Sequence, residues 1–520
     1  MGVPNMNQKL YKKIVITMMV TAVGGTSAFA SNGTTAQSTL PFVGKVAATT
    51  TVDSAKSDVS SAVREALAQK IMKATEKRQV EAAKKGNNPV FQVGTVPVNQ
   101  TVELTLPKTV QMALDSNRDI KVARYGLQES DWSVAQARAG LMPSLDYTFS
   151  AGRAKSYTTN AAMQKIATFG NNFSNTLSLS LPLYTGGAVE GAIAVAKLSR
   201  DTSQEEIFRV EQATKLSAVQ GYFNLLAYQE LKAVYDESVS NLQGHVDNVT
   251  AQYNVGTVAK LDVLTSDVSL ANARTNAVSA ANNVSNAEAN LNNILGLPLQ
   301  TKLVVADHRL PFDAYNISLN EAIDYAMQYR PEVLQSALAV QKAEENIGIA
   351  EAGHRPTVAV GASNIWNDSD FPGSKNSHWT LSGGLSYSFY DGGATNAKIH
   401  VAKAALLAAE ETEQKTREAV ALQVKQAYLN IRSAAQRVEA TQAAVNQAEE
   451  SFKIARVRYT AGVGINLDVL DAQLNLNTAK TNNISALYDY NVGIATLEQV
   501  MGIDVRSGVV RIPQKALVKS

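Results

Sequence analysis

Two rhythms of hydrophobic and polar residues share this chain. Over most of it small apolar side chains return every three or four positions, as at Ala402, Ala405, Ala408 and Ala409, the mark of a helix packed closely on another helix. Four short stretches follow a period of two instead. In NTLSLSLPLYTGG (Asn175 to Gly187), Leu177, Leu179, Leu181 and Leu183 share one side of an extended chain, and Ser178, Ser180 and Pro182 share the other. Such alternation predicts a strand with one apolar and one small polar face. SLDYTFSAG, TVAVGAS and HWTLSGGLSYSFY behave alike.

The rhythms are laid out twice. SLPLYTGG (Ser180 to Gly187) returns as SYSFYDGG (Ser386 to Gly393), QYNVGTVAKLDVL (Gln252 to Leu264) as RYTAGVGINLDVL (Arg458 to Leu470), and LNNILG (Leu291 to Gly296) as LEQVMG (Leu497 to Gly502), all offset by 206 residues. Upstream, LTLPKTVQMALDSNRDI matches ISLNEAIDYAMQYRPEV and Pro143 matches Pro356 at an offset of 213, so the first copy carries seven extra residues between Pro143 and Tyr184. Each copy predicts one helix (107–140 and 318–352), two strands of about ten residues, a long helix (188–254 and 394–460), a glycine-containing turn and a last helix (260–295 and 466–501). Neither long stretch contains proline. Each helix would reach about 100 Å at 1.5 Å per residue, too long for a compact domain.

The chain begins like an exported protein: Lys9, Lys12 and Lys13, then the apolar run Ile14 to Val23, then AFA at Ala28 to Ala30. Residues 1–30 read as a signal peptide, 31–100 as a periplasmic extension or linker, 101–312 and 313–505 as the two repeats, and 506–520 as a tail. No later run of 18 or more apolar residues predicts a helical span. The absence of cysteine excludes disulfides, thiol chemistry and lipid attachment at an N-terminal Cys. A net charge of +2 gives no bulk argument for nucleic acid. The five histidines (His245, His308, His354, His378, His400) lack metal-ligand spacing, and GGAVEG at Gly186 to Gly191 has Ala188 where a dinucleotide loop needs glycine. An enzyme, a cofactor and a metal site are therefore not expected.

Strands that face lipid on one side and water on the other fit a transmembrane β-wall, although a soluble sheet on a core has the same pattern. One chain offers only four. An open edge in lipid leaves N–H and C=O groups unsatisfied at several kcal/mol each, and outer-membrane barrels start at about eight strands, so closure requires several copies. Two would give eight strands and three would give twelve; helices continuing the strands as a wide tube favour three.

From about residue 103 to 505 the chain resembles the TolC-type outer membrane efflux factor family, in its two-copy order, its LPLYTGG and SFYDGG junctions, and its QYNVGTVAKLDVL and RYTAGVGINLDVLDAQ turns. The resemblance implies a mainly α fold with transmembrane β-structure: a duplicated helix–strand–strand–long helix–helix unit, forming a homotrimeric twelve-stranded barrel continued by an α-helical coiled-coil periplasmic tunnel. It implies an outer-membrane location, outer-membrane lipid around the barrel, a periplasmic adaptor, and an inner-membrane pump of the RND or ABC type. The function implied is export of drugs, toxic compounds or polypeptides, with iris-like opening of the periplasmic tips. A structural envelope protein spacing or tethering the outer membrane is the rival reading.

The resemblance also assigns residues. Asp468 and Asp471 match an inner carboxylate ring, although acidic residues in a first helical turn also suit the helix dipole. Tyr459 and Asp262 match a latch between helix pairs, so Tyr459→Phe with Asp262→Ala should loosen the closed end. Gly464 stands where the family's archetype has a second latch, an arginine, and Arg458 lies on a different face. Val255, Gly256 and Thr257, with Ala461, Gly462 and Val463, match the tips that meet the adaptor. Tyr147, Trp379 and Tyr387 are candidates for interfacial aromatic belts.

Overall fold

A computed structural model of the chain describes residues 101–159, 163 and 165–503. The signal peptide, the 31–100 extension and the 506–520 tail lie outside the described residues. In chain order the elements are β1 (Thr101–Leu104), α1 (Leu106–Ser116), α2 (Arg118–Ala139), β2 (Ser144–Thr159), β3 (Lys165–Tyr184), α3 (Ala188–Asn254), α4 (Lys260–Ile294) and β4 (Lys302–Val305). There follow α5 (Leu319–Tyr329), α6 (Pro331–Glu351), β5 (Thr357–Asp368), β6 (Asn376–Ser386), α7 (Ala394–Thr460) and α8 (Asn466–Val500).

The three- and four-residue periodicity gives the long helices their bounds. α3 and α7 each span 67 residues, about 100 Å of helix. Each starts from a glycine in the left-handed region, Gly187 or Gly393. α4 and α8, of 35 residues each, return alongside them. The residues α4 buries include Ala273, Ala280 and Ala287, small enough to let the helix axes approach.

The first helix of each copy is two helices rather than one. At Asn117 the backbone turns to ψ 134°, and the side chain accepts hydrogen bonds from the N–H groups of Asp119 and Ile120, so a new helix is capped there. In the second copy Arg330 is extended at ψ 125° and Pro331 opens α6, because the residue before a proline is pushed out of the helical region. The parallel pair β1–β4, from Thr101↔Lys302 to Leu104↔Val305, is unannounced in the pattern, since four residues are too few to alternate convincingly. It carries Leu104, Leu303 and Val305 into a core with Tyr222, Phe223, Leu226 and Leu291. A second core joins Val424, Ile431, Tyr490, Leu497 and Met501 beneath α5. Large side chains buried this fully contribute about 1.5–3 kcal/mol each.

The other four strands form one antiparallel sheet in the order β2–β3–β5–β6. They are longer than expected, at 16, 20, 12 and 11 residues. Paired residues share a face. One row across the sheet is Leu145, Leu179, Ala362 and Leu381, and the next on the same face is Tyr147, Leu177, Asn364 and Trp379. Rows on the opposite face read Ser144, Ser180, Gly361, Ser382 and then Asp146, Ser178, Ser363, Thr380. β2 and β6 are open edges. Pairing of β2 with β3 continues to Thr159↔Lys165, whereas β5 reaches only as far as Phe173↔Asp368. The longer first hairpin therefore projects as a two-stranded ribbon, which is where the first copy's extra length is accommodated.

Candidate functional site

Two regions carry the chemistry: the helical tips remote from the strands, and the sheet. At the tips α3 and α7 stop in the same way. Gly256 and Gly462 take φ of 79° and 74°. The Thr257 N–H donates to the Gln252 carbonyl at 2.9 Å and the Val463 N–H to the Arg458 carbonyl at 3.0 Å, closing each helix with a left-handed residue followed by a six-residue loop bond. Val255, Gly256, Thr257, Ala461, Gly462 and Val463 are all exposed.

Just behind the turns a buried polar cluster joins the two helix pairs. Asn466, the first residue of α8, accepts a hydrogen bond at Oδ1 from His245 Nε2 on α3 at 2.7 Å. Its Nδ2 donates to the Asp262 carbonyl and to Thr265 Oγ1, both at 3.1 Å, on α4. Ser266 Oγ lies 3.1 Å from Asn466 Oδ1 and 2.7 Å from the Asp262 carbonyl. Burial pushes the His245 imidazole below its ordinary value, the Asn466 bond opposing this; facing an amide oxygen, Nε2 is the donating nitrogen. Further along, Lys480 on α8 bridges Glu237 on α3 at 2.9 Å and Glu449 on α7 at 3.3 Å.

Tyr459 and Asp262, which the resemblance assigns to a latch, are not joined by a side-chain hydrogen bond in this structure. Tyr459 is only 5% exposed, and its ring packs edge-on against His245 with centroids 5.0 Å apart. Its hydroxyl has no hydrogen-bond partner among the described residues. Burial, and then the nearby Asp262 charge, raise its pKa, so the two groups are close without being bonded. The polar link runs through Asn466 instead, to the Asp262 backbone rather than its carboxylate. Gly464 leaves little room for a larger residue, since a Cβ there would sit 3.0 Å from the Tyr459 nitrogen and 3.2 Å from the Arg458 carbonyl carbon. Asp468 and Asp471 are both exposed on α8, one turn apart. Among the described residues neither carboxylate makes a side-chain hydrogen bond or ion pair, while the Asp468 N–H donates to the Ile465 carbonyl at 3.2 Å.

Sequence reasoning missed His245 and Asn466. Neither stands out along the chain: Asn466 lies opposite Lys260 of the first copy, one of several differences that precede the LDVL shared by the two turns.

On the sheet, Tyr147 and Trp379 lie in one row of the apolar face, and Trp379 is 78% exposed. The Tyr147 hydroxyl donates to Asn175 Oδ1 at 2.6 Å. Tyr387 lies just past β6, its ring edge-on to Phe389 at 4.8 Å. Among the described residues no helix is long and apolar enough to cross a membrane.

The family model for outer membrane efflux proteins matches residues 109–297 and 322–503, one span in each repeat. The chain belongs to the outer membrane efflux protein family. It is 25% identical over 413 residues to outer membrane protein TolC of Escherichia coli strain K12, covering 74% of this chain and 80% of that one. It is 26% identical over 390 residues to the proteases secretion protein PrtF of Dickeya chrysanthemi, covering 70% and 80%. Among solved structures, a membrane protein from Pseudomonas aeruginosa superposes with a TM-score of 0.67 at 19% identity, over 82% of this chain and all of that one. The CusC channel superposes at 0.65 and 19% identity, over 80% and 96%. As an efflux-family member the chain is an outer membrane efflux channel. It resides in the outer membrane with a long periplasmic portion.

Proposed function

We propose that three copies of this chain close one export conduit, in which their twelve strands (four each) form the barrel and their long helices the periplasmic tunnel. The observation that carries this reading is the finished amphipathic sheet with unfinished edges. Its outward rows are mainly apolar, its inward rows are Ser, Thr and Gly with Asp146, and β2 and β6 each leave a line of backbone groups unpaired. In hydrocarbon those groups must be satisfied, and β6 of one copy laid against β2 of the next satisfies them. Residues 101–312 and 313–505 then supply equivalent halves of the wall.

The tips form the gate and widen like an iris when helix pair α7–α8 parts from α3–α4. The Asn466–His245 cluster holds the pairs together in the resting state. Asp468 and Asp471 supply two carboxylates per chain, six in a trimer, around the axis, and this ring favours cations. The exposed turns at Val255–Thr257 and Ala461–Val463 dock a periplasmic adaptor, which couples the conduit to an inner-membrane pump of the RND or ABC type. The cargo is small toxic compounds or polypeptides; a lining of small polar residues is permissive, and the pump makes the selection. Tyr147, Trp379 and Tyr387 anchor the barrel in outer-membrane lipid. No catalytic step or cofactor enters.

Reconstitution in planar lipid bilayers tests the reading. Discrete, cation-preferring conductance steps from a purified trimer are expected. A chain that inserts without conducting is a tether rather than a conduit.

A further inference from the structure

The ribbon of the first hairpin continues the outward face of the sheet beyond its apolar rows. Rows Phe149–Asn175–Trp366 and Ala151–Phe173–Asp368 are the last that reach β5. The next on the same face are Arg153–Asn171, Lys155–Phe169, Tyr157–Ala167 and Thr159–Lys165. All three cations of the ribbon thus face outward, and the opposite face carries Gly152, Ala154, Ser156 and Thr158. Aromatic rings steady two of the cations: the Arg153 guanidinium lies 5.6 Å from the Phe169 centroid, and Lys155 Nζ lies 5.2 Å from that of Tyr157 and 5.4 Å from that of Phe169. The sequence has no Asp or Glu from Tyr147 to Val189. Asp368, at the end of β5, and Asp370, in the loop after it, are both held by Lys375 at 3.2 Å.

With the long helices as the proposed periplasmic tunnel, the hairpin end of the sheet points out of the cell. From Ala151 to Thr159 the strand climbs roughly 27 Å at about 3.4 Å per residue, or roughly 19 Å of height at the usual tilt of about 45°. A phospholipid headgroup layer is only about 5–8 Å deep on each side. A cationic, aromatic face of this height, rising directly from the lipid-facing wall, matches a taller anionic layer.

We propose that Arg153, Lys155 and Lys165, with Tyr157 and Phe169, form a docking face for phosphorylated glycolipids of the outer leaflet: the cations meet phosphates and the rings stack on sugars. The placement rests on the channel reading above, which fixes the direction of the hairpin.

The test uses the full chain, purified as its native assembly and placed in phosphatidylcholine nanodiscs. The probes are bacterial lipopolysaccharide and the same lipopolysaccharide enzymatically dephosphorylated, with retained glycolipid counted by native mass spectrometry. The unaltered protein should retain the phosphorylated probe and lose the dephosphorylated one. Substituting Arg153→Ser, Lys155→Ser and Lys165→Ser together should lower retention by roughly a hundred-fold, the order expected when three cations leave an anionic membrane face. The charge-keeping set Arg153→Lys, Lys155→Arg and Lys165→Arg should retain it. Equal retention by the serine variant, or of the dephosphorylated probe, overturns the proposal; the second comparison needs no variant to fold. A photocrosslinker at Thr159 should capture glycolipid in intact outer membranes. Capture only of a second copy of the chain, or of another protein, also overturns it. Single-channel conductance of the serine variant keeps the two readings apart: unaltered conductance with unaltered glycolipid retention removes the docking face alone, whereas a native chain that does not conduct removes the conduit.

Discussion

His245 on α3 and Asn466 on α8 lie 2.7 Å apart, imidazole Nε2 to amide Oδ1, inside the helical tips. Asn466 also reaches the Asp262 carbonyl and Thr265, so one amide ties together three helices from both halves of the repeat. Replacing it by Ala leaves the His245 N–H and the Asp262 carbonyl without that partner in a buried site, at a cost of about 1–3 kcal/mol. The Asn466→Ala channel should show larger resting conductance and admit bulky antibiotics into cells. Resting conductance equal to that of the native channel would remove the cluster from the gate.

The same cluster should make closure depend on pH. Burial holds the His245 pKa below the ordinary imidazole value of 6.5, so the closed arrangement binds fewer protons than an open, solvated one. Its contribution is therefore complete above about pH 6.5 and declines as the pH falls through that value toward the lower, buried one. Asn466, Ser266, Tyr459 and the Asp262 carbonyl surround the ring, and none of them supplies an anionic partner in direct contact. Conductance should rise on acidification from pH 7.5 to 5, and His245→Gln should flatten that rise. A slope unchanged by the substitution would assign the response to other groups.

Tyr459 offers a contrast. Its hydroxyl is buried and has no hydrogen-bond partner among the described residues, so Tyr459→Phe removes an unsatisfied polar group and leaves the ring against His245. Thermal stability and resting conductance should change little, in departure from the loosening that the latch assignment predicts. The Asp262→Ala variant likewise keeps the backbone carbonyl that Asn466 uses. Substantial loosening by Tyr459→Phe alone would show that the hydroxyl finds a partner in a neighbouring copy.

How much of this was legible in the sequence follows from the range of each signal. The 67-residue helices and their glycine turns were readable because the signal is local and repeated: unbroken periodicity without proline, then a residue at positive φ. The sheet faces were readable for the same reason, since Leu177 to Leu183 alternate strictly. The break at Asn117 was not, because a side chain capping the N–H groups of Asp119 and Ile120 leaves the hydrophobic period intact on either side. The β1–β4 pair depends on residues two hundred positions apart. Neither His245 nor Asn466 bears a pattern of its own; their meaning arises only when α3, α4 and α8 converge.

The turns invite a backbone test. Gly462 sits at φ 74° with nothing within 4 Å of a Cβ built there, so the cost of Gly462→Ala is conformational rather than steric, about 1–2 kcal/mol. Asn tolerates this region better, so Gly462→Asn should be milder. If the tip shape presents the docking surface, adaptor crosslinking in cells should fall in the order Gly, Asn, Ala while trimer yield holds. Equal crosslinking across the three would place the adaptor elsewhere.

Asp468 and Asp471 lie one turn apart on α8, both exposed and, among the described residues, without an ionic partner. Their side chains are not committed to holding the fold, and a helix-dipole role alone would be worth only about 0.3–1 kcal/mol for an acidic residue in the first turn. A ring of carboxylates is a different matter, because charges focused in a narrow aqueous constriction act together on a passing ion. Asp468→Asn with Asp471→Asn should therefore leave trimer stability nearly unchanged, lower the preference for potassium over chloride, and relieve block by trivalent cations added from the periplasmic side. Reversal potentials in asymmetric salt measure the first effect and current traces the second. A variant that keeps the native reversal potential would return both carboxylates to the dipole role.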